Sequence, residues 1–145
     1  MLDKMKALVK AKDICVLATV SKGTPHCSLM AYATNEDCSE IYMVTHTQTT
    51  KYRNLIETPS VSLLIDTREE HAGPGRLDEV QAITVAGIFE KSEDQEKIQN
   101  VRSLILERHP HLANFLDHPD AEILSVRISS FLLLNGVVDA YYEKV

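Results

Sequence analysis

The densest chemistry in the chain lies in Thr45-His46-Thr47-Gln48-Thr49-Thr50-Lys51-Tyr52-Arg53-Asn54-Leu55. An apolar run, Ile41 to Val44, precedes it, and a short helical pattern that stops before Pro59 follows, so the segment falls where a strand hands over to a helix. Thr45, Thr47, Thr49 and Thr50 supply hydroxyl donors. The first turn of a helix supplies backbone N–H groups with no acceptor of their own, and Lys51 and Arg53 add positive charge beside them. A phosphate monoester matches that set. The same residues also suit a plainer role, in which Thr49 caps a surface helix and both cations are solvated.

Hydropathy patterning predicts the elements that position this segment. Leu2, Met5, Leu8 and Val9 share one face of a helix over residues 2–11. Cys15 to Val20 reads as a strand ended by the turn residues Lys22-Gly23-Thr24-Pro25, and His26 to Thr34 as a second strand completing a hairpin. After the polar turn Asn35 to Ser39, Glu40 to Thr45 forms a third, so the first three strands are expected as a meander. Tyr52, Leu55 and Ile56 line one side of the short helix, and Val61 to Ile65 is a fourth strand. Asp66 to Asp78, built on Gly73-Pro74-Gly75, is a polar loop of a length that suits a lid or a subunit contact.

Gln81 to Phe89 is the fifth strand, with Ile83, Val85, Gly87 and Phe89 on one face, and Gly87 marks a bulge or a close approach. Ser92-Glu93-Asp94-Gln95 matches a capping box before a helix that runs to Arg108. A shorter helical piece lies between Pro110 and Pro119, and Glu122 to Leu134 is the last strand. Six strands in mostly consecutive antiparallel order, with peripheral helices, predict a mainly β (α+β) chain forming one small closed or half-closed barrel over residues 1–145. Such a barrel leaves apolar rims, which a homodimer would cover.

The 145 residues carry a formal net charge of −6, which argues against a general affinity for nucleic acid or for an anionic membrane. Any phosphate must therefore be held by a local pocket. No apolar run is long enough to span a bilayer, and Met1-Leu2-Asp3-Lys4-Met5-Lys6 lacks the core of a signal peptide, so a cytoplasmic location is expected. Cys15, Cys27 and Cys38 are odd in number and lack CxxC spacing, which speaks against a disulfide framework and against a zinc or other metal site. No nucleophile–base pair stands out, and no catalytic side chain is assigned.

With these residues laid out, the chain resembles the pyridoxamine 5′-phosphate oxidase-like flavoproteins, the FMN-binding split barrels. Three pieces carry the resemblance: Val16 to Val20 through Pro25-His26, the Thr45 to Leu55 segment, and Thr58-Pro59-Ser60-Val61-Ser62-Leu63-Leu64. It implies a six-stranded antiparallel split barrel with FMN at a homodimer interface. It places Thr50-Lys51 at the family's phosphate-binding pair, and Ser28, Leu29, Met30, Ala31 and Tyr32 on the strand beside the isoalloxazine ring. Thr45 falls at a position that contacts the flavin or its phosphate; Thr49 and His46 lie beside it, and Gln81 lies near a glutamine that meets the ring. The C-terminal arginine and histidine motif that holds pyridoxamine phosphate in the true oxidases is missing, and Tyr141 and Tyr142 are expected at a dimer contact.

Three functions then compete. The first is an FMN-dependent oxidoreductase acting on an unidentified small substrate, where the cofactor carries the redox chemistry and no side-chain nucleophile is needed. The second is a flavin-binding or electron-transfer protein without a substrate. The third is a haem-binding split barrel using His46, His71, His109, His111 or His118.

Overall fold

Strict alternation over Gln81–Glu90 buries Ile83, Val85, Gly87 and Phe89 and turns Thr84, Ala86 and Ile88 outward, which is what a strand with one covered face requires. The structure, a computed structural model, describes residues 1–145. It contains α1 (Leu2–Ala11), β1 (Ile14–Ser21), β2 (Thr24–Ala31), β3 (Ala33–Thr34), β4 (Glu40–His46), α2 (Thr50–Glu57), β5 (Ser60–Asp66), β6 (Gln81–Glu90), α3 (Gln95–Arg108), α4 (Ala113–Asp117), β7 (Ala121–Asn135) and β8 (Asp139–Lys144).

The strands form one sheet in the order β2-β1-β5-β6-β7-β4-β3, with β8 added on β7. Every pairing is antiparallel. The two ends of that path, β2 and β3, are consecutive in the chain and interrupted only at Tyr32, so the polypeptide itself closes the barrel across a seam. Tyr32 makes the seam: its N–H donates to the Asp13 carbonyl (2.9 Å), its hydroxyl donates inward to the Val9 carbonyl, and its carbonyl meets His109 Nε2 at 2.9 Å.

The expected meander therefore needs correcting. His26 to Thr34 is split, pairing through β2 with β1 and through β3 with β4, while the long partner of β4 is β7. Lys22 and Gly23, both at positive φ, make the two-residue turn between β1 and β2.

Gly87 is the predicted bulge: the β6–β7 register shifts between Ala86 and Gly87. A Cβ there would sit 2.5 Å from Val126 Cγ1 and 2.8 Å from the Arg127 carbonyl oxygen. The barrel interior is filled by Leu17, Met43, Leu63, Ile65, Ile83 and Phe131 among others, and α1 adds Met5 and Val9 to the same core. A second, smaller core lies on the outer face of β4 and β7, where Tyr42 and Val44 meet Val101 and Ile105 of α3 and Leu116 of α4.

Two further differences have physical causes. The cap of α3 is Asp94, whose carboxylate accepts from the Glu96 and Lys97 amides, so the helix starts two residues later than Ser92 would have it. β8 was not anticipated, because five of its six residues are exposed and the strand has no buried face to imprint a period of two. No helix is long and apolar enough to cross a membrane.

Candidate functional site

Thr49 starts α2 because its side chain satisfies the first turn. Its Oγ1 accepts from the Tyr52 amide (3.2 Å) and donates to the His46 carbonyl (2.9 Å), which locks the end of β4 to the start of the helix. Thr45 Oγ1 lies 3.5 Å from Thr49 Oγ1 and is buried at the end of β4. The first backbone bond of α2 runs from Arg53 N–H to the Thr49 carbonyl (3.2 Å), so the Thr50 and Lys51 amides have no acceptor in the helix. The capping role of Thr49 is thus real, and it leaves the rest of the first turn available to a ligand.

Lys51 is half-buried and forms no ion pair; burial alone lowers its pKa. A partly desolvated ammonium with no carboxylate beside it is a poised anion receptor. Arg53 lies further round, its Nη2 donating to Thr50 Oγ1 at 3.2 Å. Thr50 and Arg53 also line a pocket of about 270 Å³ between α2 and the β1–β2 hairpin, together with Thr24, His26, Asn54 and Glu57; no hydrophobic side chain contributes.

β2 runs away from this pocket along an unpaired edge of the sheet. Tyr32 N–H bonds to Asp13, so in an antiparallel ladder the bonded pairs recur every second residue, at Met30↔Cys15 and Ser28↔Leu17. The backbone groups of Cys27, Leu29 and Ala31 therefore point outward. Of the five residues expected beside a ring, Leu29 and Ala31 present free N–H and C=O groups, whereas those of Ser28, Met30 and Tyr32 are turned to β1 and to Asp13. The Met30 and Tyr32 side chains belong to the core.

The structure thus joins Thr45, Thr49, Thr50 and Lys51 at one mouth, with the β2 edge leading from its neighbouring pocket. His26 ends one of the segments that carry the resemblance, but the sequence gives it no place in the site. Its proximity to α2 follows from the hairpin register, and no local pattern encodes it.

Two expected residues lie elsewhere. Gln81 pairs with Asn135 at one end of β7, while His46 pairs with Ala121 at the other, so the length of β7 separates Gln81 from the α2 mouth within one chain. His46 turns to the outer face beneath α4, stacked between Phe115 (3.9 Å between ring centres) and His118 (4.4 Å). Its Nε2 is buried with no partner.

The remaining histidines are dispersed. His109 is buried on the Tyr32 carbonyl, His71 Nδ1 lies 3.2 Å from Glu79, and His118 Nδ1 accepts from the Asp120 amide. His111 sits edge-on to His109. No group of three or more His, Cys, Asp or Glu side chains is arranged to hold a metal. Cys15 is buried, which pushes its thiol up to about 12 and leaves it inert.

A barrel closed through one kinked strand defines the split-barrel class. The chain belongs to the pyridoxamine 5′-phosphate oxidase family, whose sequence profile matches residues 1–135. No curated protein matches it. Among solved structures it is similar to a heme binding protein from Mycobacterium smegmatis, with 18% identity and a TM-score of 0.84 over 97% of this chain and 56% of that one. It is also similar to a FAD-binding protein from Mesorhizobium loti, with 16% identity and a TM-score of 0.73 over 92% and 93% of the two chains. The heme storage protein HutZ from Vibrio cholerae has 20% identity and a TM-score of 0.71 over 88% and 87%. The chain therefore spans little more than half of the Mycobacterium smegmatis protein, and these likenesses concern the fold.

Proposed function

We propose that this chain binds FMN at the α2 mouth, at a homodimer interface, and serves as an oxidoreductase for a small organic substrate. The observation that carries the reading is Lys51, a half-buried cation without a carboxylate partner in the first turn of a helix whose leading amides are free. A phosphate there removes the cost of leaving that charge uncompensated. Thr50 donates a hydroxyl, and His26 and Arg53 line the adjoining polar pocket. The outward groups of Leu29 and Ala31 suit the polar edge of a planar ring.

FMN, when bound, supplies the electron transfer; the residues here hold its tail and fix the ring. A plain flavin carrier would use the same residues, and turnover of reduced nicotinamide by FMN-loaded protein separates the two.

The haem reading has one observation on its side, the unpartnered Nε2 of His46. That atom is buried beneath α4, so the haem reading requires α4 to move before iron could meet it. The absorbance spectrum of the purified protein, with mass identification of any released compound, tests the proposal. Flavin bands support it; a Soret band, or no response to added FMN, rejects it.

A further inference from the structure

At the end of β7 away from the α2 mouth, a cleft of about 400 Å³ opens beside α1, and its lining shares no residue with the pocket between α2 and the β1–β2 hairpin. Strand geometry builds it. Gln81 lies two residues before the buried Ile83 and Asn135 two after the buried Leu133, so both side chains fall on the inward face where the barrel runs out. Tyr141, opposite Leu133 on β8, shares that face, and Lys4, Ala7 and Leu8 close the cleft from one side of α1. Gly136 fixes the rim: its N–H donates to the Val80 carbonyl (2.9 Å), and a Cβ there would meet the Asp78 carbonyl oxygen at 2.7 Å.

Four polar side chains converge on this cleft unspent. Lys4 Nζ, the Gln81 and Asn135 carboxamides and the Tyr141 hydroxyl make no hydrogen bond or ion pair within the chain, whereas the Tyr32 hydroxyl and the Asn35 and Asn54 amides are all engaged. Lys4 is the only charged residue in the lining; Asp3, its neighbour in the chain, and Asp139, opposite Asn135 on β8, do not line it. The positive charge is therefore met by no acid of the cleft. Gln81 and Asn135 are direct partners across β6 and β7, which puts their Cβ atoms about 4.5–5.5 Å apart. Two carboxamides side by side offer donors and acceptors along one edge, the pattern that an imide or lactam edge of a heterocycle returns.

We infer that the cleft binds a small heterocyclic monocarboxylate, its carboxylate on Lys4, its imide or lactam edge on Gln81 and Asn135, and its ring against Leu8 and Leu133. One uncompensated cation matches one negative charge, and a phosphate monoester dianion would bring a second charge with nothing to meet it. An engineered apolar cavity of about 150 Å³ holds benzene, so a single ring with its substituents fits here.

The test uses three probes: orotate carries both recognition elements, uracil lacks the carboxylate, and benzoate lacks the imide. Each is titrated into the full chain while backbone amide shifts are followed by nuclear magnetic resonance. Orotate should give saturable shifts at Leu8, Gln81 and Asn135, with uracil and benzoate each binding at least about tenfold more weakly. Lys4→Gln, at an exposed position outside the core, should weaken orotate about tenfold and leave uracil unchanged. The site is refuted by an absence of saturable shifts, by shifts centred on Thr50 and Lys51 instead, by uracil or benzoate binding as tightly as orotate, or by undiminished orotate binding in Lys4→Gln.

Discussion

Asn54 Nδ2 donates to Thr19 Oγ1 at 3.1 Å, and both side chains are buried, so α2 is fastened to β1 by a polar contact inside the protein. Leu55, the next residue, enters the barrel core. Together they fix the rotation of a helix only eight residues long, too short to persist without tertiary support. The direction in which Lys51 and Arg53 face depends on that fastening.

Replacing Asn54 by Ala leaves the Thr19 hydroxyl buried and unpaired, at a cost of about 1–3 kcal/mol. Urea denaturation should report that loss. FMN affinity should fall as well, although Asn54 need not touch the phosphate. Unchanged stability would mean that the contact does not hold the helix.

Lys51→Ala should weaken FMN binding by about 1.5–3 kcal/mol, roughly ten- to a hundredfold, through the loss of a charge-assisted bond to phosphate. Riboflavin has no phosphate, so its weaker binding should be the same in mutant and wild type. Fluorescence titration of both ligands separates a lost phosphate contact from general damage. Equal FMN affinities would sink the assignment.

Gly87 and β8 mark what the chain's own pattern could and could not announce. The period-two burial of β6 is written in its residue types, and the glycine that breaks it marks a backbone approach. Likewise α1 and β5 have one apolar face and are legible from it. The split at Tyr32 is not, because Tyr32 continues an apolar run and only the long-range bonds to Asp13, Val9 and His109 reveal the kink. The separation of Gln81 from His46 along β7 is likewise a matter of strand order, which no local pattern carries. The junction of β4 and α2 is readable because a helix start carries its hydrogen-bonding groups locally, whereas the position of His26 beside α2 depends on a hairpin register.

Gly87→Ala should destabilise the fold by about 1–3 kcal/mol, because the new Cβ meets the Arg127 carbonyl oxygen at 2.8 Å as well as the more yielding Val126 side chain. Thermal unfolding is the measurement. A neutral substitution would show that the bulge relaxes freely.

Glu40 links stability to pH. Burial pushes its carboxyl up, but the Lys97 ammonium and the Ser125 hydroxyl, 2.9 and 2.7 Å from Oε2, outweigh that and hold it below the usual carboxylate range. A depressed folded-state value means that the stabilisation is present above the unfolded value, about 4.3, and is lost as pH falls through the folded one. Lys97→Met should therefore flatten the acid limb of the stability curve below about pH 5. An identical limb in mutant and wild type would assign acid sensitivity to other carboxylates.

The outward face of the sheet makes the last prediction. Leu29 pairs with Val16, Val16 with Leu64, Leu64 with Thr84, Thr84 with Leu132, and Leu132 with Tyr142, so one lateral row crosses six strands. Leu29 is 75% and Tyr142 63% exposed in the single chain, and Leu64 and Leu132 are also exposed. A row of that kind, ending at the free edge of β2, suits a two-fold contact with a second copy. Leu64→Glu should then convert a dimer into a monomer of 16.3 kDa by sedimentation equilibrium. Because Leu64 lies near the middle of the row and away from α2, FMN affinity separates the two roles of the face. If a second copy completes the cofactor site, affinity falls with the dimer; if the α2 mouth suffices, the monomer binds FMN as tightly as before.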